Sequence, residues 1–142
     1  MKSATLIGLV SLLAALSLPA AKAPREKAEL EAESGHIVSG TVLKVESIVA
    51  RSKIETGLGI HTDRIFTIEV RVTSVAKGEK IKEGDVIQIS AWQPEQRIPD
   101  LPGLQGHENI PTKGNRVTLY LNPAGEGGKF EPILPNGIQI LD

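Results

Sequence analysis

The sequence predicts an all-β fold, either a small closed barrel of five or six strands or a two-layer β-sandwich. Three observations lead to this prediction. Short stretches rich in β-branched residues are separated by glycine- and proline-rich turns. The stretch from Arg64 to Val75 alternates apolar and polar side chains, the period-2 pattern of a strand with one buried face. After the first 23 residues, strands do not alternate with helices, which argues against parallel α/β folds and the nucleotide sites they carry.

Residues 1–23 have the organisation of a secretory signal peptide. Met1 and Lys2 give a positive start, an uncharged run covers 4–18, and alanines follow at 20, 21 and 23. A cut after Ala23 would be followed by Pro24, whose fixed φ suits a peptidase poorly, so the boundary stays open between 20 and 23. The alternative is an uncleaved anchor, which the Ala, Ser and Gly content of the run disfavours. We therefore expect export to the periplasm or the cell exterior, with membrane contact only through a retained leader.

Charge and composition limit the classes of function. The chain has 16 basic and 17 acidic residues, and two of the basic ones, Lys2 and Lys22, lie in the leader, so the exported part has a formal charge of −3. This mildly acidic balance and four aromatic residues disfavour nucleic-acid binding. The absence of cysteine excludes disulfides, thiol nucleophiles, cysteine-ligated zinc and a lipidated cysteine.

The exported part divides into a lead and one domain. Residues 24–35 alternate in charge and contain one large apolar side chain, Leu30, which predicts a flexible charged lead. Residues 36–142 form a single β domain of a length that suits one core. Gly40 predicts a bulge in the first strand. Strands are expected at 36–50, 64–75, 86–92, 116–121, 129–133 and 138–141, with a loop over 51–63.

Residues 93–115 are predicted to form one long loop. They contain four prolines and three glycines, which interrupt helices and paired strands. Loops of this length in small domains are usually functional or disordered. The apolar residues Ile98, Leu101, Leu104 and Ile110 are spaced as anchors, so we expect an ordered lid rather than a linker.

Several short motifs resemble small exported barrels of the oligonucleotide/oligosaccharide-binding (OB) type. These include netrin-like modules of tissue inhibitors of metalloproteinases, and uncharacterised bacterial secreted proteins. The motifs are Gly40-Thr41-Val42, the strand Phe66 to Val72, Lys77-Gly78, the strand Gly84 to Ile89, and Gly114 to Leu121; Trp92 to Pro111 and Glu131 to Gly137 resemble the bacterial proteins. The resemblance implies an OB-like barrel and an exported compartment, but no activity. This chain lacks the N-terminal cysteine with which the inhibitors engage a protease metal, so inhibition by that route is not expected.

Two loops carry pairs of possible metal ligands. His61 and Asp63 lie in one loop, and His107 and Glu108 lie in the other. Imidazole and carboxylate groups suit zinc or a similar ion, provided that the two loops meet. A metal-dependent or carboxylate hydrolase using these four residues is the alternative function; their other interpretation is as surface polar residues. No nucleophile elbow and no glycine-rich phosphate cradle is present.

The leading hypothesis is an exported, non-enzymatic binding or interaction module without a cofactor. Its ligand would be a protein, a glycan or a small molecule, contacted through loops 51–63 and 93–115. Trp92 is either a buried plug with a bonded indole N–H or an exposed recognition anchor. The expected contact residues are Trp92, Gln93, Arg97, His107 and Glu108.

Overall fold

A computed structural model describes residues 23–123 and 129–141. The predicted leader, apart from Ala23, lies outside the described residues. Seven elements follow one another along the chain: α1 Lys27–Glu33, β1 His36–Arg51, β2 Ile60–Lys77, β3 Val86–Ile98, β4 Arg116–Leu121, β5 Lys129–Phe130 and β6 Ile138–Ile140. The described part of the chain contains no helix long and apolar enough to cross a membrane.

All six strands belong to one sheet, in the order β5-β3-β2-β1-β4-β6. Neighbouring strands are antiparallel, except that β5 runs parallel to β3. The prediction of a largely β domain is thus confirmed, and the alternating stretch 64–75 forms the centre of β2.

The predicted closed OB-like barrel is wrong, because the sheet does not close, and the alternative sandwich fails because the described residues form a single sheet. Closure requires a continuous ladder between the two edges, and β5 has only two residues. A single bridge joins Leu121 to Pro132 just beyond it. Pro132 has no N–H to extend that bridge into a ladder.

The pairing of β1 with β2 is irregular. The pairing of β1 with β2 shifts register at three places, one of them between Ser39 and Gly40, where the sequence predicts a bulge. A side chain at Gly40 would lie 2.3 Å from the carbonyl oxygen of Arg71, so the two strands approach too closely there for any other residue.

The main core gathers apolar side chains from five strands and the β2–β3 connection. Fully or almost fully buried members are Val38, Val42, Ile68, Val70, Val72, Ile81, Ile87, Ile89, Ala91, Val117, Leu119, Leu121 and Ile138. A second cluster on the opposite side of β1 and β4 joins Leu30, Ile37, Tyr120 and Ile133. The middle of the sheet is therefore covered on both faces.

The segment predicted as a flexible lead instead contains α1 and is attached to the sheet. Leu30, its one large apolar side chain, is only 2% exposed. Arg25 exchanges two backbone hydrogen bonds with the amide side chain of Asn136, at 2.9 and 2.8 Å. One buried leucine and one amide pair therefore hold a segment whose composition alone suggests solvation.

The long loop begins later than predicted, because β3 continues through Pro94 to Ile98. Both backbone groups of Trp92 bond to His107, on the side of β3 away from β2. Alternation along a strand places the nitrogen of Pro94 on that same outer side, where no ladder bond is needed. The loop 51–63 likewise shortens, since β1 ends at Arg51 and β2 begins at Ile60.

Candidate binding site at the loop end of the sheet

Three strands extend beyond the region that β4 covers. β4 pairs with β1 only up to Thr41, whereas β1, β2 and β3 remain paired with one another for about ten more residues. Two loops, 52–59 and 99–106, follow at the far end of this arm. These loops, together with the strand ends Ile60 and Ile98, are called the loop end below.

A buried ion pair lies beneath the loop end. The Nη2 of Arg97 donates to the Oδ1 of Asp63 at 2.5 Å, and the two side chains are 8% and 7% exposed. The Nη1 of Arg97 also donates to the backbone oxygen of Thr62 at 2.8 Å. Buried charges of this kind are tolerated only when paired and hydrogen-bonded, and both conditions hold here.

The same arginine connects the two loops. Its Nε donates to the Oε1 of Gln105 at 3.0 Å, and the Nε2 of Gln105 donates to the Oε1 of Glu55 at 2.9 Å. Arg97 is in β3, Gln105 is in the second loop and Glu55 is in the first. Because the planar guanidinium has donors on several sides, one side chain can orient both loops.

Local contacts shape the first loop. The hydroxyl of Ser52 accepts hydrogen bonds from the backbone N–H groups of Ile54 and Glu55, which forms a turn at the end of β1. Gly59 has φ of +120°, and a side chain there would lie 1.9 Å from the carbonyl oxygen of Ile98. Loop 52–59 therefore returns to β3 at a point where only glycine fits.

Apolar side chains point into solvent at the loop end. Leu58 is 97% exposed, and four further isoleucine and leucine side chains are between 48% and 62% exposed: Ile54, Ile60, Ile98 and Leu104. Ile60 and Ile98 are direct neighbours across β2 and β3. Exposed apolar residues clustered in this way, rather than scattered singly, mark an interaction surface.

His61 is buried under this surface. Its ring is 8% exposed, Nε2 lies 3.2 Å from the backbone oxygen of Leu58, and Nδ1 has no partner among the described residues. The ring thus supports the first loop from below.

His107 fastens the second loop to β3 and to the bridge segment. Its Nδ1 accepts the backbone N–H of Trp92 at 3.1 Å, and its Nε2 is 2.9 Å from the carbonyl oxygen of Pro132, to which it donates. These fixed partners assign a neutral ring with the proton on Nε2. Burial lowers the pKa of His107 from its usual value, which keeps it neutral.

The remaining predicted contact residues lie near His107, where the second loop returns to β3. The side-chain amide of Gln93 donates to the backbone oxygen of His107 at 2.8 Å. Trp92 is half-buried and Glu108 is exposed, with its backbone N–H bonded to Pro135. Of the five predicted contact residues, only Arg97 has a side chain bonded to the loop end, and it lies beneath that surface.

The four predicted metal ligands do not come together. His61 pairs with Arg97 in the ladder, whereas His107 is bonded to Trp92, five residues away along β3, which corresponds to about 16 Å. Both ring nitrogens of His107 are engaged, and Asp63 is paired with Arg97. Among the described residues no group of three His, Cys, Asp or Glu side chains could hold a metal ion.

Sequence reasoning missed the residues that build the loop end. Glu55 and Gln105 gain their roles only from contacts across about 50 residues of chain, which no local pattern reveals. One apolar residue of loop 51–63 could have indicated the exposed surface from the sequence. Leu58 lies between two glycines in a polar stretch, where an apolar side chain has no core to enter.

Comparison with family models, with curated proteins and with solved structures finds no match for this chain. The resemblance to OB-type and netrin-like domains therefore stays a prediction.

Proposed function

We propose that this protein is an exported, non-enzymatic interaction module that binds another protein through the loop end. The observation that carries the proposal is the group of exposed apolar side chains on two connected loops and the strand ends beside them. Full burial of one such side chain contributes about 1.5–3 kcal/mol, so several together can offset the loss of freedom on association.

A protein partner fits this surface better than a glycan or a lipid. The five exposed side chains are aliphatic, and sugar sites normally bring aromatic platforms. The loop end carries Lys53 against Glu55 and Asp100, so it lacks the basic excess with which surfaces bind anionic lipid. Aliphatic side chains ringed by mixed charge are typical of the centre and rim of a protein interface.

The buried ion pair and the glycine at 59 support the same proposal. They hold the loops before a partner arrives, so less conformational entropy is lost on binding. A pair of flexible loops would lose more conformational entropy on binding.

Site-specific photocrosslinking in the producing cells tests the proposal. A photoreactive amino acid replaces Leu58 in one chain and the exposed Glu83, in the β2–β3 connection, in a control chain. We expect a discrete protein adduct from position 58 that is absent at position 83 and is lost when Ile54→Asp is added. Adducts of lipid or glycan, equal adducts at both positions, or none at position 58 would overturn the proposal.

A further inference from the structure

About half of β1 has an edge that no strand of the described residues pairs with. β4 covers this edge only as far as Thr41, and the backbone of Val42 exchanges hydrogen bonds with Gly114 and Asn115 at 2.8 and 2.9 Å. Beyond that point the chain leading into β4 leaves the sheet, while β1 continues to Arg51. No other strand of the described chain pairs with β1 on this side.

A hydrogen bond just past the end of β1 shows which of its backbone groups face away from β2. Ser52 donates its N–H to His61, which lies on the β2 side. Alternation along an antiparallel strand turns the N–H and C=O groups of Val45, Ser47 and Val49 to the opposite side. In the described part of the chain, nothing bonds to these outward groups, so they offer a template for one more strand.

A groove lies beside this edge. It has a volume of about 660 Å³, and its apolar lining includes Val45, Phe66 and Ile110, all partly buried against the main core. The segment 110–113 forms its other wall. A strand added to β1 would occupy the place that β4 leaves vacant, and every second side chain could enter the groove.

Charge at the two ends of the edge indicates the chemistry of the added strand. Lys113 borders the groove at one end, and Arg51 ends β1 at the other. Within residues 23–123 and 129–141, neither makes an ion pair, whereas Lys44 is neutralised by Glu46 at 2.8 Å. An acidic residue at each end of an incoming segment would therefore find a cation without a competing partner.

We propose that the edge of β1 from Val45 to Arg51, with the adjoining groove, binds an extended polypeptide segment by strand addition. The segment carries alternating apolar side chains that fill the groove and acidic residues that meet Lys113 and Arg51.

A second copy of this chain is a poorer occupant. Antiparallel pairing of two such edges would bring Arg51 of one copy near Lys113 and Lys44 of the other. This site is separate from the loop end and does not depend on the proposed function.

A defined peptide tests the proposal. The probe is acetyl-Asp-Val-Thr-Val-Thr-Val-Glu-amide, and its control has lysine at both ends. By NMR titration and amide exchange, we expect perturbation and slowed exchange at Val45, Ser47 and Val49, with at least tenfold tighter binding of the acidic probe. No perturbation of these amides at millimolar probe would overturn the proposal.

Two substitutions distinguish the contribution of the β1 backbone edge to binding from that of the charged side chain. Val49→Pro removes an outward N–H that β2 does not use, and we expect it to weaken binding at least tenfold. Lys113→Glu should remove the preference for the acidic probe, whereas the matched change Lys82→Glu, in the distant β2–β3 connection, should leave it unchanged. Binding that survives Val49→Pro, or an equal effect of the two lysine changes, contradicts the proposal.

Sedimentation of the chain without probe is a further check, since a dimer that Val49→Pro dissociates would assign the edge to a second copy instead.

Discussion

The side chain of Arg97 joins β2, β3 and the second loop of the loop end. Its guanidinium pairs with the buried carboxylate of Asp63, binds two backbone oxygens and positions Gln105. A buried ion pair adds little net stability over an apolar pair of the same shape, but removing one partner leaves a charge without compensation. Arg97 is therefore best understood as a residue that orders the loops.

Removal of the Arg97 side chain should lower the stability of the fold. We expect Arg97→Met to lower the free energy of unfolding by about 3–5 kcal/mol, because Asp63 would stay buried without its partner. Urea unfolding measures the loss. The double variant Asp63→Leu with Arg97→Met is the control, and it should lose less than Arg97→Met alone. A loss below about 1 kcal/mol in Arg97→Met would mean that the pair is solvated rather than buried.

Two buried histidines should make the fold sensitive to mild acid. Burial lowers the pKa of His36, with a further contribution from Lys80, and burial lowers the pKa of His107. A lowered pKa means that the unfolded chain binds more protons than the folded one once the pH falls below about 6.5. Stability is therefore complete above about 6.5 and is lost as the pH falls towards the folded-state pKa values.

The measurement is the melting temperature between pH 7.5 and 5.0. We expect it to fall below pH 6.5, and to fall less steeply in His107→Gln, which has no titrating ring. That variant should be less stable at pH 7.5, since a buried N–H or carbonyl left without a good partner costs about 1–3 kcal/mol. A melting temperature that is flat across this range, or an unchanged slope in His107→Gln, would show that the histidines are protonated in the fold.

Residue identity predicted some of these roles and not others. Asp63, Arg97 and His107 were recognised as candidates from their loop positions. Their partners could not be, because Pro132 and Gln105 come near them only through the fold. His107 shows why: the sequence presents it as a free ligand, whereas the fold occupies both of its nitrogens.

At the scale of the elements, β-patterning predicted strands more reliably than loops. The stretch 116–121 forms β4 with the expected limits, because its alternation reports directly on one buried face. The prolines of 93–115 predict a loop from residue 93, but β3 continues through Pro94 because its nitrogen faces an edge that needs no donor. The composition of 24–35 predicts a flexible lead, but this segment contains α1, whose one leucine is buried although the segment is otherwise rich in charge.

The first loop gives a test at this scale. Gly59→Ala should lower the free energy of unfolding by about 1–3 kcal/mol, since it combines an unfavourable positive φ with a clash against the carbonyl of Ile98. Gly57→Ala is the matched control, because open space surrounds that position. Thermal unfolding of both variants checks the prediction. Equal effects would mean that the close approach of the loop to β3 does not persist in solution.

At the scale of the whole molecule, the sequence predicted one β domain but not its topology. Closure of a barrel depends on whether two edges meet, and here that depends on a strand of two residues followed by a proline. Because β4 pairs with β1 only up to Thr41, an arm of three strands extends past β4. This arm has the apolar loop end at its tip and an unpaired β1 edge along its side.

The central claim is that connected loops present a partner-binding apolar surface. The most direct measurement is the yield of protein adduct from a photoreactive amino acid at position 58, with and without Gln105→Ala. This change removes the link between Arg97 and Glu55 but leaves Leu58 and the buried ion pair in place. Loss of two hydrogen bonds at about 1 kcal/mol each predicts a yield at least fivefold lower. An equal yield in the two chains, or no protein adduct in either, would contradict the account.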